Sequence, residues 1–389
     1  MEPVAVSVRP SVFRRHPRLT LVAINLTALL LLAGLDHLAA ALYVERPSGR
    51  EPHPWYHHGL AANFRGTDHW LGRPFALRTN ALGLRDDAPR AVPLTGTRPR
   101  LLLLGDSFTE GVGVAYEETF AGRLARALPG WEVLNGGVCT YAPRLYWRRL
   151  EYLLDHVGLK VDEIVVFVDV SDVQDELWCR DFVPSPEPRV PWTTRLHRYL
   201  RWHSYVYFMV DCQLALREYA QPARGRGQAV GAEFGPARDP LKERFAWASE
   251  PGARVRFDAE RGRWEEPAIW ERWGREGMAL ATDDMAQVVA LCQRHGIRLS
   301  LAVYPWPAPY IAQRLTPCRH EEHWRAFCQE RGLGFLDLFP AFITDEAPAD
   351  VIARCFLPGD FHWNAAGHER VATAFLAWWQ AIHSPAAGR

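Results

Sequence analysis

Between residues 98 and 380, short apolar runs alternate with segments of helical periodicity. The predicted strands are Arg100–Leu104, Trp131–Leu134, Glu163–Val168, Arg298–Tyr304 and Gly334–Leu338. The predicted helices are Glu117–Leu128, one after Pro143, Met285–His295, His320–Arg331 and Ala365–Trp379. Because the strands are apolar on both faces, they are typical of a parallel sheet covered by helices on each side. The pattern therefore predicts an α/β fold with three layers, α/β/α, around a mostly parallel sheet.

Near the N-terminus, the segment Leu19–Leu35 is almost continuously apolar, and the apolar character resumes after Asp36 and His37 to reach Val44. A helix over the shorter range spans roughly 26 Å and one over the longer range roughly 39 Å, which brackets a hydrocarbon core of about 30 Å. The sequence therefore predicts one transmembrane helix over residues 19–44.

The charges before this segment indicate its orientation. The preceding arginines are Arg9, Arg14, Arg15 and Arg18. The positive-inside rule places residues 1–18 in the cytoplasm as a short tail and the rest of the chain outside. A cleaved signal peptide is the alternative, since Ala39 and Ala41 offer a small-x-small cleavage site. Both interpretations export the bulk of the protein.

Two stretches interrupt the alternation of strands and helices. Residues 45–97 are rich in Pro, His, Gly and Arg and predict an irregular lead-in. Residues 180–277 contain a Pro-rich stretch at 184–191 and a Gly/Arg-rich stretch at 223–231, which indicate a partly mobile insertion. The expected domain is therefore 98–380, interrupted at about 180–277.

Charge and cysteine content exclude several classes of protein. Lys+Arg and Asp+Glu both number 45, so no basic surplus supports binding to nucleic acid. The only lysines, Lys160 and Lys242, do not follow a Gly-rich turn, which argues against a P-loop. The seven cysteines form no CxxC pair, so neither a metal nor another cofactor is predicted. Buried thiols are favoured over a disulfide among the later cysteines.

The segment LLLLGDSFTEGVG (101–113) places Gly105, Asp106 and Ser107 directly after a predicted strand. Ligand sites in such sheets lie beyond the carboxyl ends of the strands. A serine on this turn is expected to be exposed and close to the first N–H groups of the next helix, which can stabilise an oxyanion. The alternative is an Asp/Ser helix cap on an ordinary loop, and Asp106 is expected to fix the loop.

A second segment, PGDFHWNAAGH (358–368), supplies Asp360 and His362 before the last helix, with Asn364 suited to cap that helix. A serine nucleophile needs a base within hydrogen-bond reach and a carboxylate that orients the base. All three residues are present, in segments that an α/β fold can bring together. The alternative for His362 is a packed histidine in a Trp-rich loop.

Together these segments resemble the SGNH, or GDSL-type, hydrolases, whose four blocks carry a GDS serine, a glycine, an asparagine, and an Asp and His before the C-terminal helix. The matching segments, in the family's order, are GDSFTEG (105–111), LNGGVCTYAP (134–143), VVFVDVSDVQDE (165–176) and DFHWNAAGH (360–368). The resemblance implies a flavodoxin-like fold, with Ser107 as nucleophile and the backbone of Gly137 as an oxyanion donor.

The chain departs from the family pattern at two positions. Ser171 stands in the third block where the family has asparagine, although a hydroxyl can also donate to an oxyanion. In familiar members the Asp precedes the His by three residues, where this chain has Gly359; Asp360 precedes His362 by two. That spacing resembles SGNH-like proteins of the bacterial envelope that handle acetyl groups on exopolysaccharides. It implies an acyl ester of a glycan as substrate and a domain outside the inner membrane.

The implied mechanism begins when His362 takes the proton of Ser107 and Asp360 orients the imidazole. The N–H groups of Ser107 and Gly137, with the hydroxyl of Ser171, hold the oxyanion. Water then releases the acid in an esterase, or a sugar hydroxyl accepts the acyl group in an O-acyltransferase. A degenerate member that binds glycan without turnover, or an accessory protein of polysaccharide assembly, remains a third interpretation.

Several aromatic and histidine side chains are further candidates for ligand binding. Trp306 and Trp363 are candidate stacking platforms for sugar rings, with core packing as the alternative. His57 and His58 are expected either to line the active-site cleft or to pack within the lead-in segment 45–97. The HEEH segment at 320–323 predicts a solvated helix face in preference to a metal site.

Overall fold

The computed structural model describes residues 15–44, 49–185, 192–220, 246 and 253–384. Arg9, Arg14, Lys242 and the Gly/Arg-rich stretch 223–231 lie outside the described residues, as does most of the Pro-rich stretch. The chain divides into two compact units. The first comprises residues 1–46 and 190–226, and the second comprises residues 47–189 and 227–389.

The strands and helices of the described residues are as follows. The strands are β1 (Arg50–His53), β2 (His57–Leu60), β3 (Arg65–Trp70), β4 (Arg73–Arg78), β5 (Arg100–Gly105), β6 (Glu132–Asn135), β7 (Glu163–Val168), β8 (Arg298–Val303) and β9 (Gly334–Asp337). The α-helices are α1 (Pro17–Tyr43), α2 (Ser107–Glu110), α3 (Phe120–Ala127), α4 (Pro143–Glu151), α5 (Asp172–Cys179), α6 (Trp192–His203), α7 (Tyr205–Ala220), α8 (Ala253–Ala259), α9 (Pro267–Ile269), α10 (Arg275–His295), α11 (Arg319–Arg331), α12 (Phe339–Phe342), α13 (Pro348–Cys355) and α14 (Ala365–His383).

The second unit is built on a parallel sheet with the strand order β6-β5-β7-β8-β9. Every residue of β5 and β7 is buried, because Leu, Ile, Val and Phe side chains face helices on both sides of the sheet. Helix α14 packs beside α3, and α10 packs beside α4 and α5. The predicted α/β fold is confirmed, and the predicted strand Glu163–Val168 has the observed bounds.

The chain enters the sheet at β5, then adds β6 on one side and β7 on the other. The loops after these strands therefore diverge at the carboxyl edge, where open α/β sheets bind their ligands. Ser107 follows β5, Gly137 follows β6 and Ser171 follows β7, so the first three sequence blocks meet at this edge.

The lead-in is not irregular as predicted. It contains two antiparallel hairpins, β1 with β2 and β3 with β4. Leu71 and Gly72, between β3 and β4, both have positive φ, as a tight two-residue hairpin turn requires. The strand β3 (RGTDHW) lacks alternating apolar residues, so its hydrophobic pattern gave no signal. Trp70 ends this strand beside the turn.

In the first unit, helix α1 is the one helix of the described residues that is long and apolar enough to cross a membrane. Its most apolar window has a mean hydropathy of 2.0, and no part of that window is buried. The predicted insertion contributes α6 and α7 to this same unit, where both helices contact α1.

Candidate active site

Ser107, His362 and Asp360 form a continuous hydrogen-bonded chain. Ser107 Oγ lies 2.7 Å from His362 Nε2. His362 Nδ1 lies 3.0 Å from Asp360 Oδ2. These contacts fit a neutral imidazole that carries its hydrogen on Nδ1 and accepts the serine proton at Nε2. The arrangement can therefore generate a serine alkoxide equivalent for attack on an acyl carbon.

The loop that carries His362 is fixed at both ends by local hydrogen bonds. The Leu357 N–H donates to the backbone oxygen of His362 over 2.8 Å. Asn364 caps α14 by accepting from the N–H groups of Ala366 and Gly367, as the sequence predicts. Its amide also donates to the backbone oxygen of Phe356 over 3.0 Å. The imidazole thus projects from a loop with little freedom to move.

Asp360 is held by donors other than His362. Trp70 Nε1 donates to Asp360 Oδ2 over 2.6 Å, and the Phe361 N–H donates to Asp360 Oδ1 over 2.7 Å. Burial alone would raise the pKa of Asp360, but the contacts with His362, Trp70 and the Phe361 N–H outweigh burial and lower it. The ionised carboxylate needed to orient an imidazolium is therefore the favoured form.

The site is recessed, contrary to the prediction that the serine is exposed. Ser107 is 6% exposed and His362 is 2% exposed. The imidazole lies between aromatic rings, with the ring centroids of Phe108 and Trp70 each 4.7 Å from its own. The aromatic surroundings of the imidazole strengthen its hydrogen bonds, and little of the Ser107 side chain is exposed.

Three groups were expected to hold the oxyanion, and the structure gives them different surroundings. The Ser107 N–H has no hydrogen-bond partner among the described residues. The Gly137 N–H donates to Asn135 Oδ1 over 3.0 Å. Ser171 Oγ donates to Asp175 Oδ2 over 3.1 Å. Of these three donors, only the Ser107 N–H can bind an oxyanion without first breaking an existing hydrogen bond.

The second loop still shapes the site around Gly137. A Cβ atom at this position would lie 2.3 Å from the Glu110 nitrogen and 2.5 Å from the Thr109 carbonyl carbon, so only glycine fits against α2. Thr140, in the same loop, is exposed and has φ of 62°. The backbone N–H of Thr140 has no hydrogen-bond partner among the described residues. No motif in the sequence indicated this free donor.

A buried cluster of carboxylic acids adjoins Ser107. It comprises Asp106, Asp169, Asp172 and Asp175. Burial, and then the neighbouring Asp169, raise the pKa of Asp106 and of Asp172 well above the ordinary range. Asp106 accepts from the Phe108 N–H and from the Tyr304 hydroxyl, so it fixes the serine turn as expected.

Asp172 does not reach His362. It accepts from the Tyr146 hydroxyl and from the Asp169 N–H. Arg261, from the predicted insertion, forms an ion pair with Asp175 at the edge of the cluster. The acid that contacts the imidazole is therefore Asp360, and Asp172 belongs to the support of the third loop.

The two tryptophans proposed as sugar platforms are buried. Trp363 is 0% exposed and packs on Phe108 and Tyr304, so the prediction of a stacking platform at Trp363 is wrong. Trp306 is 4% exposed, and its Nε1 donates to Asp169 Oδ2 over 2.8 Å. The ring of Phe361 stacks on Trp306 with a centroid distance of 4.2 Å, which covers one face of the indole.

A cavity of about 1010 Å³ opens beside Asp360 and Phe361. Trp306 forms part of its wall, and Arg261, Arg263, Asp258 and Glu266 add charged groups. Ser107 and His362 do not line it. The cavity therefore borders the acid side of the triad and offers both aromatic and hydrogen-bonding surface to a ligand.

The remaining histidine candidates have structural partners. His58 Nε2 lies 2.8 Å from the backbone oxygen of Cys139, and His57 Nδ1 lies 2.8 Å from His58 Nδ1. His320 is fully buried, so the predicted solvated face of the HEEH segment is wrong at this residue. In the described part of the chain, no group of three or more His, Cys, Asp or Glu side chains is arranged to hold a metal. The seven cysteines are free thiols.

Comparison of whole chains gives distant structural neighbours. An α/β hydrolase from the metagenome of Lake Arreo, Spain, is 12% identical over 75% of this chain and 99% of its own, with a TM-score of 0.37. An acetyl xylan esterase is 15% identical over 73% and 99%, with a TM-score of 0.37. A lipolytic protein of the G-D-S-L family from Veillonella parvula is 11% identical over 72% and 96%, with a TM-score of 0.36. No family model and no curated protein match the chain.

Proposed function

We propose that this protein is a serine esterase in which Ser107 is the nucleophile, His362 the general base and Asp360 the orienting acid. The observation that carries the proposal is the pair of contacts at His362, 2.7 Å to Ser107 Oγ and 3.0 Å to Asp360 Oδ2. The four ordered segments that resemble SGNH hydrolases support the same roles. Burial of all three side chains keeps water away from the triad, where its hydrogen bonds are stronger.

In the proposed reaction, Ser107 Oγ attacks the ester carbonyl while His362 Nε2 takes its proton. The carbonyl oxygen becomes an oxyanion at the free Ser107 N–H, at the start of α2. His362 then returns the proton to the departing alcohol, which leaves an acyl-Ser107. Water, activated by His362, releases the carboxylic acid and restores the serine. Gly137 and Ser171 contribute to the oxyanion site only if ligand binding frees their donors.

We propose an acyl ester, acetyl above all, on an envelope or exopolysaccharide glycan as the substrate. The small exposed fraction of Ser107 suits a small acyl group, and the cavity beside Asp360 suits a carbohydrate because it combines aromatic and charged walls. Phe361 and the edge of Trp306 offer the aromatic surface. The spacing of Asp360 and His362 supports this class through its resemblance to envelope proteins that handle acetylated exopolysaccharide.

We propose that α1 anchors the protein in the bacterial inner membrane as a single span, with the esterase outside. The length and hydropathy of the helix support this location. The four arginines before it support an external esterase.

The test uses the purified full chain and its Ser107→Ala variant. A fluorophosphonate probe should label the full chain at Ser107 and leave the variant unlabelled, and only the full chain should release acetate from a generic acetyl ester. Release of acetate from acetylated oligosaccharide would identify the glycan class. Transfer of the acetyl group to an added oligosaccharide would instead show an O-acyltransferase. An unlabelled, inactive full chain would overturn the proposal.

A further inference from the structure

Two helices of the first unit present apolar stripes that are largely exposed among the residues that the structure describes. On α6 the stripe consists of Trp192, Leu196 and Tyr199, which are 67%, 45% and 57% exposed. Their spacing of four and then three residues places them on one face of the helix. Soluble surfaces rarely gather large apolar side chains in this way.

On α7 the stripe consists of Val206, Val210 and Leu214, which are 64%, 53% and 54% exposed. The spacing of four residues again defines one helix face, and Met209 widens it. Gln213 is a polar residue within this face. The two helices contact each other, so they form a hairpin with two exposed apolar stripes.

The turn of this hairpin is held by the last part of α1. Asp36 Oδ1 accepts the Val206 N–H over 2.8 Å and thereby caps the start of α7. The rings of His37 and His203 stack with a centroid distance of 5.5 Å. Tyr43 meets Tyr205 at 5.9 Å. The two polar residues that interrupt the apolar segment therefore bind the hairpin.

If α1 spans the bilayer, as proposed above, these contacts determine the depth of the hairpin relative to the membrane. Asp36 follows Leu19 by a helical rise of roughly 26 Å, which is close to the far edge of a hydrocarbon core of about 30 Å. Residues that touch Asp36 and His37 thus lie at the outer membrane–water boundary. Asp36 at this depth gains a backbone N–H partner in place of water.

The composition of the hairpin suits this boundary. Trp192 and Tyr199 are the residue types enriched where hydrocarbon meets headgroups. Residues 192–220 carry four arginines, at positions 195, 198, 201 and 217, against two acids, at 211 and 218. Arg201 pairs with Asp211 over 3.2 Å, and Arg195 is exposed beside the α6 stripe. The positive surplus matches anionic phospholipid.

We propose that α6 and α7 form an interfacial hairpin whose two apolar stripes are buried in the outer leaflet beside α1. The lipid bilayer is the partner of this surface. The hairpin depends on the anchor being retained, because cleavage after Ala41 would remove both Asp36 and His37. The contacts at these residues therefore favour an uncleaved anchor over a signal peptide.

The test places single labels on the full chain in nanodiscs of phosphatidylcholine and phosphatidylglycerol. Cys139 and Cys212 are changed to Ser, because the other cysteines are buried. An environment-sensitive fluorophore is then attached through Leu196→Cys or Val210→Cys on the stripes. Thr193→Cys is the matched control on α6, since Thr193 is exposed but lies about 100° around the helix from Trp192. Leu30→Cys reports the anchor.

Labels at Leu196→Cys and Val210→Cys should be quenched several-fold more than the Thr193→Cys label by a lipid with a nitroxide near its headgroup. They should also be shielded from aqueous iodide. Iodide quenching equal to that of the control would overturn the hairpin, and so would shielding without nitroxide quenching, which would indicate a protein partner. A Leu30→Cys label quenched from the bilayer centre would still support the anchor in those cases. Iodide access at Leu30→Cys would overturn the anchor and the hairpin together.

Discussion

Trp70 Nε1 lies 2.6 Å from Asp360 Oδ2, the same carboxylate oxygen that faces His362 Nδ1. The two residues are 290 positions apart, and Trp70 comes from the hairpin that precedes the sheet. The indole thus holds the proposed orienting acid at the oxygen that the imidazole contacts, and its ring also packs edge-on against the imidazole. It is a positioning residue, since its own atoms reach the serine only through Asp360 and His362.

Trp70→Phe should lower kcat by about tenfold, the worth of one charge-assisted hydrogen bond. The indole N–H is one of the contacts that lower the pKa of Asp360, so its loss leaves more negative charge on the oxygen that faces the imidazole. That charge favours the protonated, inactive imidazolium, so the acid limb of the kcat profile should move to higher pH. Trp147→Phe, on α4, is the control and should leave the profile in place. An unmoved acid limb in Trp70→Phe would give the indole a packing role only.

Ser107→Ala and His362→Ala should each lower kcat for an acetyl ester by roughly 1,000-fold or more, because the nucleophile and its base act as a unit. The double variant should be no slower than the slower single variant. Steady-state kinetics with a p-nitrophenyl ester measures all three. Loss in the double variant equal to the product of the single losses would show that the two residues act separately.

Asp360→Asn should lower kcat strongly, by about 10⁴-fold in a site that works as a triad, because asparagine favours the wrong tautomer of His362. Asp172→Asn should have little effect on kcat, since Asp172 contacts Tyr146 and the Asp169 N–H and not His362. The comparison needs only kcat values at one pH near neutrality. If Asp172→Asn were the slower variant, the third-loop aspartate would be the orienting acid.

The sheet could be predicted because its central strands, β5, β7 and β8, are short apolar runs buried on both faces. Glu163–Val168 and Arg298–Val303 show this well, since nearly every side chain contributes to the core. The hairpin β3–β4 could not be predicted, because β3 has no alternation of apolar and polar residues, although Phe75 and Leu77 of β4 are buried at alternate positions. Its pairing comes from backbone hydrogen bonds and from the positive φ of Leu71, which no sequence pattern announced.

The positions of Ser107 and His362 at the carboxyl edge of the sheet could be predicted from the sequence. Each follows from a short local pattern, namely the apolar strand before Ser107 and the Asn364-capped helix after His362. The surroundings were not predictable in the same way. Trp306 and Trp363 are buried by contacts with distant aromatic rings, and the Ser171 hydroxyl binds Asp175 one turn further along α5. Such contacts depend on packing between segments, which composition and spacing do not encode.

The two aspartates should also affect stability with opposite signs. The pKa of Asp172 is raised by burial and then by Asp169, so its contribution is fully present below the unfolded value of about 3.9 and is lost as pH rises. Asp172→Asn should therefore be more stable than the wild type at pH 7, and the difference should vanish near pH 3.5. Thermal unfolding at several pH values measures it.

Asp360→Asn is the matched control for that series. The pKa of Asp360 is lowered, so its contribution is present above about pH 3.9 and is lost as pH falls through the folded value. This variant should be less stable than the wild type at pH 7, with a difference that shrinks in acid. Equal pH dependence of both variants would contradict the opposite environments of the two carboxylates.

The orientation of the anchor follows from charge. Arg18 lies at the start of α1 and Arg15 just before it. Arg9 and Arg14 come earlier in the sequence, and Glu45, Arg46 and Arg50 follow the helix with a weaker positive excess. The side richer in arginine stays in the cytoplasm, so the esterase should lie outside in every copy. A reporter that is active only after export, fused after Arg389, should therefore be active, and a reporter that needs the cytoplasm should be silent.

Protease added to spheroplasts should degrade the esterase and spare only a short fragment. Protection of the esterase, together with an active cytoplasmic reporter, would exclude an envelope glycan as substrate even if Ser107 proves to be the nucleophile.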